Sequence, residues 1–203
     1  MISLVICTYN PEKELLNKAL DSAVGFDEVI LVDDGSIVKI DKHPNVTKYL
    51  RIEQNSGLGN ARNMGISVAK GDIIALLDDD DYFGDLSEMF KFVKENDSDI
   101  YHFTIKCSDG STWGQNNVKT IEIEDCIPGT SWFKKKVWEQ NPYNAIVAED
   151  WVFWCEAKRD GFKFTYVPSI FYNYLLRPES LSHQNFSRLD EARKYINENC
   201  GNR

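Results

Sequence analysis

Carboxylates dominate the residues of this chain that could do chemistry. Asp78, Asp79, Asp80 and Asp81 stand in a row after the apolar run DIIALL (72–77). Two like charges about 4 Å apart cost roughly 1 kcal/mol in water and roughly 4 near a protein surface, so the run needs an offset. A hard divalent cation supplies one. Mg²⁺ and Mn²⁺ favour carboxylate, phosphate and water oxygens, and Mg²⁺ typically takes one or two carboxylates together with substrate phosphates. In an extended segment, Asp78 and Asp80 face one side and Asp79 and Asp81 the other. Half a coordination sphere, completed by a diphosphate, is one reading. A solvated acidic loop before a helix near residue 85 is the other, because Asp is stabilising near a helix start. A calcium loop fails on spacing. Counted from Asp78, positions five and twelve are Tyr82 and Met89, where that loop needs oxygen ligands.

Five further stretches have side chains suited to a site. Thr8, Tyr9 and Asn10 follow the apolar ISLVIC, and Asp33 and Asp34 run into Gly35-Ser36. One of these two carboxylates can accept from a base N–H or ribose hydroxyls; Asp-Gly turn chemistry alone also explains the pair. NSGLGNARN (55–63) opens a helix after a strand. It misses the dinucleotide fingerprint, which needs a third glycine where Arg62 stands. Arg62 suits a phosphate or a base edge, or is a surface helix arginine. Glu149 and Asp150 begin a helix, as N-terminal caps or as a general base beside Trp151 and Trp154, where apolar neighbours raise a carboxylate pKa. His183 lies in the polar RPESLSH (177–183), while His43 and His102 have no partner pattern.

The elements that must position these residues alternate. Strands are expected at 2–8, 28–34, 46–52, 72–77 and 99–105, and helices from Pro11, at 57–69 and at 85–96. Continuous apolar strands separated by helices argue for a mostly parallel sheet covered on both faces, with ligands beyond the carboxyl ends of the strands. Residues 8–10, 33–34 and 78–81 all fall at such ends. Beyond 105, a polar hairpin-like loop (107–117), a half-exposed strand (118–124), a helix (149–161), paired strands (163–168 with 170–176) and a charged helix (187–199) are expected. The reading is one α/β domain over 1–203. Residues 1–105 form its first half, 106–186 its second, with a small second sheet, and 187–203 a C-terminal helix.

The bulk numbers narrow the partners. The chain has 203 residues, 42% hydrophobic and 27% charged, which suits one globular core. A net charge of −9 argues against nucleic acid as a partner. Five scattered cysteines with no C-x-x-C spacing read as free thiols in a reducing cytosol. No signal peptide and no apolar stretch of spanning length is evident.

Taken in order, VICTYN, VDDGS, NSGLGNARNMG, GDIIALLDDDD and AEDWVFW resemble the family-2 glycosyltransferases of the GT-A fold, over residues 2–183. The resemblance implies inverting transfer of a sugar from a nucleotide-diphosphate sugar, usually a UDP-sugar, with Mn²⁺ or Mg²⁺, to a hydroxyl of a saccharide or lipid-linked saccharide. It places Thr8, Tyr9 and Asn10 against base and ribose, Asp33 and Asp34 on uracil or ribose, and Arg62 near base or diphosphate. Asp78 and Asp80 become the D-x-D pair around Asp79, with Asp80 the direct metal ligand. Asp150 becomes the base, with Glu149 beside it. The loop from Arg177 closes over the diphosphate with His183 assisting at the metal. Work in the cytoplasm, with peripheral association at the inner face of a membrane, fits this resemblance. A relative that binds nucleotide-sugar or glycan without turnover is the alternative.

Overall fold

The computed structural model describes residues 1–116, 118–144, 148–177 and 189–200. Its central sheet contains β1 (Ile2–Thr8), β2 (Glu28–Asp33), β3 (Lys48–Arg51), β4 (Ile73–Asp78), β6 (Ile100–Phe103), β9 (Trp132–Lys134) and β10 (Phe164–Val167). The strand order is β10-β6-β9-β4-β1-β2-β3. Every neighbouring pair is parallel except those made by β9, which runs antiparallel to both β4 and β6. A second sheet joins β5 (Tyr82–Phe83), β11 (Tyr172–Tyr174), β7 (Ile105–Cys107) and β8 (Thr112–Trp113), in the order β5-β11-β7-β8. The expected α/β architecture, a mostly parallel sheet with a small second sheet, is present.

The apolar runs are continuous because both faces of the central sheet are covered. Leu4, Ile6, Val29, Leu31, Ala75 and Leu77 point to one core, with α1 (Lys13–Ser22), α3 (Ser87–Glu95) and the small sheet. Val5, Ile30, Val32, Ile74 and Leu76 point to the other. There α2 (Leu58–Val68), α4 (Lys135–Gln140), α5 (Glu149–Arg159) and α6 (Leu189–Asn199) pack. Helix α2 lies close to β1 and β2. A Cβ on Gly65 would come within 2.5 Å of Val5 Cγ1 and 3.0 Å of Val32 Cγ2, so a side chain there would push the helix, and Arg62 with it, off the sheet.

Three expectations for the second half need correction. Residues 118–124 form successive turns rather than a strand: Ile123 N and Glu124 N both donate to the Thr120 carbonyl, at 2.8 and 3.0 Å. The alternation of IEIE reflects one buried and one exposed isoleucine on a turn, Ile121 and Ile123. Strands β10 and β11 do not pair. Pro168 and a turn in which Ser169 N donates to the Val167 carbonyl (2.9 Å) separate them, and each joins a different sheet. Strand β9 was not expected, because three residues between β4 and β6 are too few to show a period. The hairpin in 107–117 is present as β7–β8, two residues earlier than read.

One core residue reports on pH. His102 is 2% exposed, packs beside Phe164 and Tyr166, and leaves Nδ1 without a partner among the described residues. Burial lowers its pKa from 6.5 to about 4, against a hydrogen bond with the Gln115 backbone. The unfolded chain therefore binds the extra proton first, and stability falls as pH drops from about 6.5 towards 4. His102→Gln should remove that component, roughly 3 kcal/mol at its acid limit. Urea unfolding of both proteins at pH 4.5 and 7 checks this, and parallel pH profiles would refute it.

Candidate functional site

The sheet topology brings the ends of β1, β2 and β4 together, and the loops there interlock. At the end of β1, Thr8 is buried and its Oγ1 donates to Asp79 Oδ2, while its carbonyl accepts from Asp34 N at 2.8 Å. Asn10 sits in the left-handed region (φ 49°), an uncommon state that Asn tolerates. From there its N–H donates to Ser36 Oγ (2.9 Å) and its Oδ1 accepts from Ile37 N (2.7 Å). Tyr9 stays half exposed. Asp33 is fully buried and accepts from Ser36 N (2.8 Å), Tyr49 Oη (2.7 Å) and the Arg51 guanidinium. Despite burial, those hydrogen bonds hold its carboxyl below the ordinary carboxylate range. Asp34 accepts from Ser56 N, Ser56 Oγ and Gly57 N at 2.8–2.9 Å, tying the loop before α2 to β2.

The aspartate run does not stay extended. Strand β4 ends at Asp78 and turns at once, with Asp81 N donating to the Asp78 carbonyl at 3.2 Å. Strict alternation of the four side chains is thereby corrected: the turn sends each to a different partner. Asp78 Oδ1 accepts from Arg62 (3.2 Å), Asp79 from Thr8, and Asp80 Oδ2 from Arg177 (2.5 Å). Asp81, 1% exposed, accepts from Tyr172 Oη (2.8 Å) and Leu175 N (2.7 Å), which anchors the small sheet. Burial pushes Asp79 up to about 7 and Asp81 up to about 8, and other aspartates of the run add to both shifts. Asp78 is raised as well, through burial.

Behind this turn, Arg62 is 4% exposed and forks between two elements. One nitrogen reaches Asp78 and the other reaches Glu149 Oε1 at 2.9 Å, with the Tyr143 ring 5.5 Å from its Cζ. Burial opposes its charge, but Glu149 and Asp78 more than offset this and hold its pKa above the ordinary value. Glu149 and Asp150 open α5, where the helix dipole favours carboxylates. The preceding Ala148 is left-handed (φ 58°), a strained state for a residue with a Cβ. Burial raises Glu149 to about 7, Asp150 adds to this, and Arg62 pulls the other way. Gly129 lies against the Asp150 carboxylate; a Cβ there would come within 3.0 Å of Asp150 Cβ and Cγ.

A narrow cleft of about 120 Å³ lies beside the aspartate turn, lined by Tyr9, Asn10, Glu12, Asp79, Asp80 and Arg177 among others. Arg177 spans it, reaching Glu12 Oε1 at 2.7 Å as well as Asp80. The donor set fits a divalent cation. Asp80 Oδ2 already holds a positive group, its neighbours crowd further negative charge, and one or two carboxylates plus phosphates satisfy Mg²⁺. Among the described residues no group of three or more His, Cys, Asp or Glu side chains is arranged to hold a metal ion. His183 lies outside the described residues.

Sequence reasoning missed Arg51, Tyr49, Gly129 and the anchoring role of Asp81. None carries a local signal, since each side-chain partner lies 15 or more residues away, Tyr172 at 91 from Asp81.

The model of glycosyl transferase family 2 matches residues 3–156. The chain belongs to this family. A poly(ribitol-phosphate) beta-glucosyltransferase of Bacillus spizizenii is 32% identical over 87% of the chain, and the match covers 32% of the relative. Glycosyltransferase YwdF of Bacillus subtilis is 30% identical over 78% of the chain and 68% of its own length. The chain thus spans about a third of the first relative. Among solved structures, Staphylococcus aureus TarS 1-349 in complex with UDP-GlcNAc superposes with a TM-score of 0.76 at 20% identity. That superposition covers 100% of this chain and 68% of TarS 1-349, and it establishes the shared GT-A fold.

Removing the buried Arg62 leaves the partly buried carboxylates of Asp78 and Glu149 facing one another without a cation. Arg62→Leu should cost about 3–5 kcal/mol, the range for breaking a buried ion pair from one side. Urea unfolding at pH 7.5 measures it. A loss below about 1 kcal/mol, the surface-pair range, would show that the fork contributes no more than a surface contact.

Proposed function

We propose that this family-2 chain is an inverting glycosyltransferase that moves a sugar from a nucleotide-diphosphate sugar to an acceptor hydroxyl. One observation carries the reading. The buried Arg62 ties the aspartate turn, suited to a cation and diphosphate, to the helix start that presents Asp150. This shared link between the two segments supports the reading, because displacement requires a base and a leaving-group site held in fixed relation.

In this reading Asp150 takes the proton from the acceptor hydroxyl as that oxygen attacks the anomeric carbon. The configuration inverts and the nucleoside diphosphate leaves. Glu149 is held by Arg62 and keeps the start of α5 in place. Gly129 supplies the space in which the Asp150 carboxylate sits. Thr8, Tyr9 and Asn10 receive the nucleoside, and Asp33 and Asp34 hold the loops around it. Asp80, with Asp78, would hold Mn²⁺ or Mg²⁺, which neutralises charge on the departing diphosphate when bound. Arg177 exchanges its carboxylate partners for diphosphate oxygens, to which its fork is matched. UDP as the nucleotide is supported by the TarS complexes with UDP and UDP-GlcNAc. The named acceptors of relatives differ, a ribitol-phosphate polymer in one and cholesterol in another, the latter 25% identical over 89% of the chain. A hydroxyl of a saccharide or lipid-linked saccharide is the acceptor class proposed here. No helix among the described residues is long and apolar enough to cross a membrane.

Asp150→Asn should lower kcat by about 10²–10⁴, the usual worth of a general base, while UDP affinity changes little. Steady-state UDP release and calorimetric UDP titration measure the two, and an unchanged kcat would remove Asp150 from the role. Gly129→Ala should lower kcat in the same direction by displacing the carboxylate, again with UDP affinity retained. Asp80→Ala should abolish the Mn²⁺ dependence of UDP binding; persistence of that dependence would reassign the ligand. Nucleotide-sugar binding with no UDP release from the unaltered protein would favour a binder without turnover.

A further inference from the structure

A larger cavity, about 540 Å³, lies on the outer face of the small sheet. Its floor is set by register. Tyr82 pairs with Asn173, Asn173 with Lys106, and Lys106 with Thr112, so these four side chains share one face across four strands. Adjacent strands are about 4.8 Å apart, so the row from Tyr82 to Lys106 spans on the order of 10 Å. The opposite face carries Phe83, Tyr172 and Ile105, all buried in the core. Helix α1 forms the facing wall, with Lys18 Nζ 3.4 Å from the centre of the Tyr82 ring. The turn 107–110 closes the far end.

The chemistry of this row is specific. Two ammonium groups stand on different walls, α1 and β7, in a chain of net charge −9. Neither has a carboxylate partner among the described residues. The one carboxylate lining the cavity, Asp109, is occupied by Ser111 N (2.9 Å) and Ser111 Oγ (2.6 Å). Between the lysines lies the Asn173 amide, whose Nδ2 donates to the Tyr82 carbonyl (3.3 Å) and whose oxygen suits a hydroxyl.

The cavity adjoins the cleft beside the aspartate turn, because two segments contribute to both. On α1, Leu15 lines the cleft and Lys18 the cavity, three residues apart and so on the same helical face. After β11, Leu175 lines the cavity and Arg177 the cleft, at most about 7 Å along the chain. Leu175 is itself tied to Asp81 of the aspartate turn.

We infer that this face of the small sheet is a binding site for a phosphate-bearing segment of the acceptor, with the phosphate between Lys18 and Lys106 and the hydroxyls on Asn173. The inference names the acceptor class of the glycosyl transfer proposed above and rests on that reading for its purpose. The site itself is testable without turnover. A polyol-phosphate chain and a lipid-linked saccharide diphosphate share this chemistry.

The test is a titration of the ¹⁵N-labelled protein with inorganic phosphate and with glycerol 3-phosphate, in the presence of saturating UDP so that the neighbouring cleft is filled. Saturable shifts confined to Lys18, Tyr82, Lys106 and Asn173 are expected. They should weaken roughly tenfold or more in Lys18→Gln/Lys106→Gln, as loss of charge-assisted contacts requires, with an unchanged melting temperature showing an intact fold. Shifts spread over all surface lysines, equal binding by the double variant, or equal binding of glucuronate would overturn the assignment. Acceptor kinetics then name the source: the double variant should raise KM for either a short polyol-phosphate oligomer or a short-chain lipid diphosphate saccharide, with kcat and donor KM unchanged. If the protein releases no UDP from any donor, the transferase reading fails while the phosphate titration still decides the site.

Discussion

A buried guanidinium is costly unless its charge is matched on every side, and the fork of Arg62 sets the layout of this molecule around that requirement. Its two partners come from elements distant in sequence, Asp78 at the end of β4 and Glu149 at the start of α5. Meeting both requires α2 to lie flat on β1 and β2, which the missing side chain of Gly65 permits. It also requires α5 to begin at a fixed point, directly after the left-handed Ala148. The ion pairs therefore do more than neutralise charge. They lock the distance between the two halves of the site.

The same logic answers the crowding of four aspartates. Had the segment remained extended, the carboxylates would have stacked in two like-charged pairs. The turn after Asp78 disperses them among Arg62, Thr8, Arg177 and the Tyr172–Leu175 segment. Burial raises the pKa values of Asp78, Asp79 and Asp81, and the mutual repulsion that remains adds to this. A site under such tension attracts cations, and the protein already answers with arginines from two directions. Asp81 has a different task. It fastens the small sheet to the end of β4, so the outer face of that sheet is held in register with the cleft.

Membership of glycosyl transferase family 2 accounts for the part of the chain that was most readable. Strands β1, β2 and β4 announce themselves by apolar runs, and the polar residues after each run are those that meet at the sheet edge. Thr8, Asn10, Asp34, Arg62 and the aspartates stand out in the sequence by residue type, by position and by the family resemblance, and the structure brings them together. Arg62 stood open between a surface arginine and a ligand-facing one; in the fold it is buried, and its charge is spent on two carboxylates.

The sequence by itself determined the α/β class, the parallel half of the sheet and the strand ends where polar residues gather, because burial on both faces and helical spacing are local patterns. It also marked Glu149 and Asp150 as a helix start. Tertiary structure alone decided that residues 118–124 turn, that β10 and β11 part company, and that β9 inserts antiparallel between β4 and β6. It decided as well that each aspartate of the run has its own partner and that Gly129 leaves room for Asp150. These outcomes depend on contacts between residues tens of positions apart, from 16 for Arg62 and Asp78 to 97 for Asp80 and Arg177. No pattern within a short window carries that information.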